Sequence, residues 1–309
     1  LDSFVLKTIK YLNKNIYRKL LHLLPKYNNF VTVSNMGHYG RLGNQLFQYA
    51  SSRSYSIKYD VPLLLPNPIE HRLGNFQISC KYVKRNTLKA VKSFHFEEKQ
   101  YHFNPVFFQY HKRKNFTGYF QSEKYFYDIK DILIREFNLK DAHKNDYCLQ
   151  YIKKIRSDNP GKSIVALHNR RGDNIPSKNK FSDKEFGVFR PDKEAFHPLL
   201  SMDYINSAKS HFDAAVFLIF SDNEKDILWC KDHIKGKNHY YSEGHDDLTD
   251  FTLMHYCDHN IISNSSFSWW AAWLNENPDK KVIAPKKWFG DAYKDWDLKD
   301  LYPKDWIVI

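Results

Sequence analysis

Cysteine is scarce in this chain: four residues among 309, Cys80, Cys148, Cys230 and Cys257, with no CxxC pair. That spacing excludes a cysteine-ligated zinc site and a disulfide scaffold, and it points to reduced, structural thiols. No run of about 18 apolar residues exists, so no segment is expected to cross a bilayer as a helix. The glycine patterns that cradle nucleotides are missing as well. "NPGKS" supplies Gly161, Lys162 and Ser163 but not the first glycine of GxxxxGK[ST], and Gly40 and Gly43 in "YGRLGNQ" do not make GxGxxG. No internal repeat is visible, and no zinc-finger, basic-zipper or RNA-recognition signature accompanies the basic residues.

What is present describes a soluble globular protein: 42% hydrophobic and 17% aromatic residues are enough for a substantial core. A length of 309 residues suits one large domain or two of about 150 residues each. The net charge of +12, from 47 Lys and Arg against 35 Asp and Glu, favours anionic partners such as phosphates, acidic lipids or nucleic acid. Charge alone does not choose among them.

Hydrophobic patterning divides the chain into four stretches. Residues 1–28 place Phe4, Ile9, Leu12, Ile16, Leu20 and Leu24 at helical spacing with lysines and arginines between them. This basic amphipathic helix either lies on an anionic membrane or packs on the protein body. Residues 29–157 open with a short strand, a glycine-bearing turn, and a helix carrying Leu46, Tyr49, Ala50 and Tyr55; an aromatic, turn-rich segment follows. Turn residues in "SDNPGKS" mark the boundary. Across 158–290 apolar strands alternate with helices, which predicts a parallel sheet covered on both faces, and 291–309 form a tail.

Ligands on such sheets sit beyond the carboxyl ends of the strands. After "SIVAL" come His168, Arg170, Arg171 and Asp173; after "VFLIF", Ser221 and Asp222; after "HNII", Asn264, Ser265, Ser266 and Phe267 at the start of a helix. Two guanidiniums fit a diphosphate through forked hydrogen bonds, and a helix start offers amide N–H groups to the same phosphates. Taken singly, each has a plainer use: ion pairing for the arginines, capping for Ser221, Asp222 and the serines, and a satisfied buried position for His168. The functional argument is that all three sets fall at equivalent strand ends. In "GRLGNQLFQ", Arg41, Gly43, Asn44 and Gln45 form either a structural cap or the wall of a sugar-binding cleft. The carboxylates of "DWD", Asp295 and Asp297, do not close an apolar strand, and no metal ligand set is assigned.

"GRLGNQLFQYA", "GYFQSEKYF", "HNRRGD", "FSDNEKDILWCK", "DLTDFTLMHYCDHNIISNSSFSWWAAWLN" and "KKVIAPKKWF" occur in an order that resembles the α-1,2-fucosyltransferases of glycosyltransferase family 11. The resemblance runs from about residue 35 to 290. It implies an α/β protein of GT-B type, two Rossmann-like lobes with the active site in the cleft between them: an acceptor-side lobe at 29–157 and a GDP-fucose-binding lobe at 158–290, with the tail packing back on the first. It implies transfer of L-fucose from GDP-fucose, with inversion and no metal or other cofactor, to O2 of a galactose in a glycan acceptor. By similarity, Arg170 contacts the β-phosphate and the glycosidic oxygen while Arg171 supports the site. His168, Asp222, Asn264, Ser265, Ser266 and Phe267 complete the donor side. Arg41, Gly43, Asn44 and Gln45 face the sugar and acceptor; Arg170, Asn44 and Asp173 are the catalytic candidates, Asp173 as the base or, alternatively, as the group that orients Arg170. Two departures touch the acceptor side: Gly40-Arg41 replaces the family's Gly-Gly, and a polar insertion opens at Asn174, reading as a lid.

The expected location is cytoplasmic, peripheral on the inner membrane through residues 1–28, in polysaccharide biosynthesis. Because the chain begins with Leu1, a Golgi lumenal enzyme cut from an upstream anchor is the alternative. Competing functions are a fucosyltransferase of another linkage or deoxysugar donor, and a non-catalytic glycan-binding or basic nucleic-acid-binding module. The main reading excludes a nucleic-acid partner.

Overall fold

A computed structural model describes residues 28–38, 40–99, 101–172 and 197–309. Apart from residue 28, the expected basic helix lies outside the described residues, as do Asp173 and the insertion as far as residue 196. Two compact units emerge, one formed by the chain up to Asn138 with Leu298–Leu301, the other by Leu139–Asp297 with Tyr302–Ile309.

In the first unit β1 (Phe30–Thr32), β2 (Leu63–Leu65), β3 (Lys81–Tyr82), β4 (Phe94–Glu97) and β5 (Arg113–Thr117) form a parallel sheet in the order β3-β2-β1-β5-β4. Helix α1 (Leu42–Lys58) follows β1; Leu46, Tyr49, Ala50 and Tyr55 are all fully buried, as their helical spacing predicts. Helix α2 (Arg85–Ala90) covers β1 and β2 with Leu88 and Val91 against Phe30 and Leu64. A second core is aromatic: Tyr55, Phe96, Phe107, Phe116, Phe120 and Tyr125 meet at ring separations of 4.2–6.4 Å. Lys114, completely buried, runs into it from β5. Its ammonium donates to the Phe107 and Gln109 carbonyls and lies 4.9 Å from the Tyr55 ring centre and 5.2 Å from that of Phe116, so hydrogen bonds and ring faces replace water. Helix α3 (Lys130–Glu136) closes the unit; its Glu136 accepts from Tyr49 and pairs with Arg53 at 2.9 Å.

Helix α4 (Ala142–Asp158) opens the second unit, so the division falls at Asn138 and not at the turn-rich 157–163 segment. The reason is packing: Cys148, Ile152 and Ile155 are buried, and the Cys148 thiol donates to Thr249 O in the same unit. The succession that follows is strict: β6 (Ile164–His168), α5 (Met202–Lys209), β7 (Val216–Phe220), α6 (Glu224–His233), β8 (His239–Tyr241), α7 (Asp247–Tyr256), β9 (His259–Ile261), α8 (Ser266–Leu274), β10 (Val282–Ala284) and β11 (Ile307–Val308). All pairings are parallel, in the order β11-β10-β9-β6-β7-β8. Every residue of β6 and β7 is buried, which is why "IVALH" and "VFLIF" read as continuous apolar runs without alternation. The tail is shared: β11 pairs with β10, while Asp300 belongs to the first unit and accepts from Lys124 and the Phe103 amide.

Renumbered from its own first strand, the second sheet has the order 3-2-1-4-5-6 of dinucleotide-binding folds, with its switch point between β6 and β9. In the first sheet the corresponding reversal lies between β1 and β5. There Asn115 Oδ1 accepts from Ser34 N and its amide donates to Ser34 Oγ, both at 3.0 Å.

Candidate active site

The switch point of the second unit is where the expected donor-side residues gather. His168 ends β6 and is nearly enclosed; burial first, then the nearby Arg170 charge, pushes it down to about 4 against the pull of Asp222. It is therefore a neutral imidazole at pH 7, with its ring 5.9 Å from that of Phe267. Asn169 continues the ladder, its N donating to Phe220 O, and its own carbonyl accepts from Ser221 Oγ at 2.7 Å. Arg170 N then donates to Ser263 Oγ at 3.2 Å, fastening the loop after β6 to the turn after β9.

The next two residues are held by carboxylates from the start of α6. Asp222 Oδ2 accepts from Arg171 N at 2.8 Å, and Asp226 Oδ2 from Gly172 N at 3.0 Å. Neither is the cap of the helix: Asn223 takes that duty with Oδ1 on Asp226 N, which leaves Asp222 for the loop. A Cβ on Gly172 would stand 2.7 Å from Asp222 Cγ, so only glycine allows this approach. The Arg171 guanidinium lies 3.5 Å from the centre of the Trp229 ring, whose other partner is the stacked His233, and its Nε is 3.7 Å from Asp226 Oδ1. The Arg171 guanidinium is thus engaged within the loop's own scaffold. Sequence reading missed Asp226, Trp229 and Ser263; Asp226 looked like an ordinary first-turn acid of a helix.

After β9 the chain turns through Ser263, Asn264 and Ser265 into α8, a helix buried over Ser268–Leu274 and apolar all round. Ser265 occupies the N-cap position without a side-chain cap bond. Ser268 Oγ instead accepts from Ser263 N and donates back to Ser265 O, so the hydroxyls brace the turn and leave the helix start uncapped by side chains among the described residues. Ser266 and Phe267 are half-buried at that start. Asn264 is fully enclosed, its amide donating to the Pro198 and Trp288 carbonyls. The side chain expected to bind donor is therefore a brace of the turn.

The residues expected on the acceptor side lie at the start of α1 in the first unit. Gly40, at φ 77°, approaches Asn44 so closely that a Cβ would meet its amide nitrogen at 2.1 Å. Arg41 is exposed at the N-cap and Gly43 is buried in the first turn. Asn44 Oδ1 accepts from Gln121 Nε2 at 2.9 Å. Gln45 is buried and used at both ends, donating to Gly40 O and accepting from Arg72 N, so it ties two turns together and offers no group outward. Among the described residues no group of three or more His, Cys, Asp and Glu side chains is gathered to hold a metal, and no helix is long and apolar enough to cross a membrane.

At the end of β8 a hydrogen-bonded chain runs from Tyr147 OH through His245 and Ser242 Oγ to Asp250 Oδ1, with steps of 2.8, 2.8 and 2.6 Å. Burial, reinforced by Asp246 and Asp247 against the Ser242 hydrogen bond, pushes Asp250 up to about 7. The folded protein then holds this proton more tightly than the unfolded chain, so the stabilisation is complete below about pH 4 and is lost as pH rises through 7. Glu98 of the first unit, pushed to about 7 by burial, adds a slope of the same sign. Asp250→Asn, which keeps an acceptor for Ser242, is expected to raise the unfolding temperature at pH 8 by about 2–4 °C and to leave it nearly unchanged at pH 4. Equal shifts at both pH values in a thermal unfolding series would contradict this.

Comparison with known proteins bears on what such a pair of units does. The sequence pattern of glycosyl transferase family 11 matches residues 13–309. The chain is 30% identical over 247 residues to the O-antigen biosynthesis glycosyltransferase WbnK of Escherichia coli, covering 77% of this chain and 70% of that enzyme. It is 30% identical over 303 residues to the α-1,2-colitosyltransferase of Escherichia coli, 87% of this chain and 96% of the relative. It is 24% identical over 250 residues to galactoside α-(1,2)-fucosyltransferase 2 of Rattus norvegicus, 76% of this chain and 65% of the relative. With two parallel α/β units and a match that runs nearly from end to end, the chain belongs to glycosyltransferase family 11, the family resemblance drawn from its motifs.

Proposed function

We propose that this protein transfers L-fucose from GDP-fucose, with inversion and without a metal, to O2 of a galactose in a surface-polysaccharide or lipid-linked glycan acceptor. The observation that carries the reading is the switch point of the second unit. There the loop bearing Arg170 is fastened to the turn that leads into the uncapped start of α8, a combination suited to a pyrophosphate. In this reading Arg170 binds the β-phosphate and the glycosidic oxygen and the amides of Ser266 and Phe267 bind the diphosphate. Together they stabilise charge on departing GDP, the task a divalent ion performs elsewhere. Arg171, Asp222, Asn264 and Ser265 hold that constellation in place, and neutral His168 lines it without adding charge.

Arg41 and Asn44 supply the acceptor side, Gly43 and Gln45 shape the helix start that carries them, and Asp173 takes the acceptor proton. The GT-B arrangement is part of the proposal, as is a cytoplasmic location with peripheral membrane contact through residues 1–28.

A second donor is favoured by the colitosyltransferase relative, which this chain matches over 96% of its length. Colitose lacks one hydroxyl of fucose. A site built to hydrogen-bond that hydroxyl discriminates strongly against the sugar without it, whereas an apolar site does not. The deciding assay offers GDP-fucose and GDP-colitose in turn with terminal galactosides in the presence of EDTA. An α-1,2-linked product from GDP-fucose supports the reading; turnover only on restoring a divalent ion, or from neither donor, would sink it.

A further inference from the structure

We propose, on the basis of the functional reading above, that Glu98 is a positioning residue of the acceptor side, setting Asn44 through the turn at Gly118–Gln121. Glu98 follows β4 directly, and the turn follows β5, so both lie at the carboxyl edge of the first unit's sheet. The turn's backbone is unusual: Gly118 has φ 151° and Phe120 φ 55°, the latter a bulky side chain in the left-handed region. Glu98 supports it. Its Oε2 accepts from Tyr119 N at 2.7 Å and from Phe120 N at 2.8 Å, capturing successive amides as an anion would. A Cβ on Gly118 would stand 2.5 Å from Glu98 Cβ, so the approach fixes glycine at that position.

The turn is in its own right tied twice to one face of α1. Gln48 Nε2 donates to Gly118 O, and Gln121 Nε2 donates to Asn44 Oδ1, both at 2.9 Å. Asn44 and Gln48 are four residues apart and therefore neighbours on that face. The other carboxylate oxygen, Glu98 Oε1, is buried and has no hydrogen-bond partner among the described residues. A buried carboxylate half satisfied in this way is costly, and the return for it is placement of the turn. The line of force thus runs from Glu98 through the Tyr119 and Phe120 amides to Gln121 and on to Asn44. No proton transfer by Glu98 is involved.

The test uses the full chain with Glu98→Ala, Glu98→Gln, Gln121→Leu and, as reference, Asn44→Ala. Transfer from GDP-fucose to a galactoside is measured alongside GDP affinity and the Asn44 side-chain amide resonance in protein labelled at asparagine. Glu98→Ala and Gln121→Leu are expected to lower kcat about tenfold or more, leave GDP affinity within about twofold, and shift the Asn44 resonance. Glu98→Gln, whose amide oxygen accepts the same two N–H groups, is expected to restore both kcat and the resonance. Wild-type kcat with an unmoved Asn44 resonance in Glu98→Ala overturns the proposal, and so does a Glu98→Gln enzyme as slow as Glu98→Ala. Should Glu98→Ala fail to fold, Gln121→Leu and Glu98→Gln decide by the same criteria. If Asn44→Ala transfers normally, or wild type transfers no sugar, the assignment of Asn44 in the functional reading fails. The resonance alone then decides whether Glu98 sets Asn44.

Discussion

Arg170→Ala lowers turnover with the nucleotide-sugar donor by about 10²–10³-fold, and Arg170→Lys recovers little of it. A developing negative charge on the leaving diphosphate is best met by fixed donors that are in place before the bond breaks. Arg170 follows the fully buried strand β6, and its own N–H is fastened to Ser263. A guanidinium there presents a planar fork, whereas an ammonium is a single point charge that cannot span two oxygens. Arg171 serves as the internal control. Because its guanidinium lies against Trp229 beside Asp226, Arg171→Ala is expected to lower the unfolding temperature as well as activity. Steady-state kinetics and thermal unfolding of both variants separate the two roles. Wild-type turnover in Arg170→Lys would contradict the assignment.

Trp269→Ala destabilises the second unit by about 3–5 kcal/mol and weakens GDP binding along with it. Trp269 is completely buried, with Trp270, Trp273 and Trp306 at ring separations of 5.2, 6.3 and 5.3 Å. Its loss opens a cavity that rigid neighbours cannot collapse to fill. The same side chain is part of the buried face of the helix whose first turn carries Ser266 and Phe267. Urea unfolding followed by far-UV circular dichroism reads the stability, and calorimetry with GDP reads the site. A midpoint equal to that of the wild type would show that α8 is held by something other than its tryptophans.

The second unit was legible in the sequence because its rules are few. Strands buried on both faces appear as uninterrupted apolar runs, and the residues directly after them are the ones at the sheet's carboxyl edge, as β6, β7 and β9 show. The first unit hid four of its strands. Strand β5 reads "RKNFT" because a lysine occupies a core position, and nothing in the alternation of polar and apolar residues announces that Lys114 is enclosed by aromatic rings. The domain division was misplaced for a related reason: polar turn residues at 157–163 mark the end of α4, and only packing of Cys148, Ile152 and Ile155 assigns that helix to the second unit.

Within the candidate site, residue types were readable and their division of labour was not. Arg171, Asn264 and Gln45 have side chains able to bind a ligand, yet tertiary contacts engage each of them in holding a turn. Conversely, Asp226 and Ser263 looked like ordinary helix-start and loop residues. Their importance lies in which backbone N–H they meet across the switch point, a long-range fact absent from local sequence.

The most direct measurement is a crystal structure of this protein with GDP in the presence of EDTA. The account predicts the β-phosphate about 3 Å from the Arg170 guanidinium and from the amide nitrogens of Ser266 and Phe267, with Arg171 still stacked on Trp229. GDP bound away from the β6–β9 switch point, or a diphosphate there that makes no contact with Arg170, would contradict it.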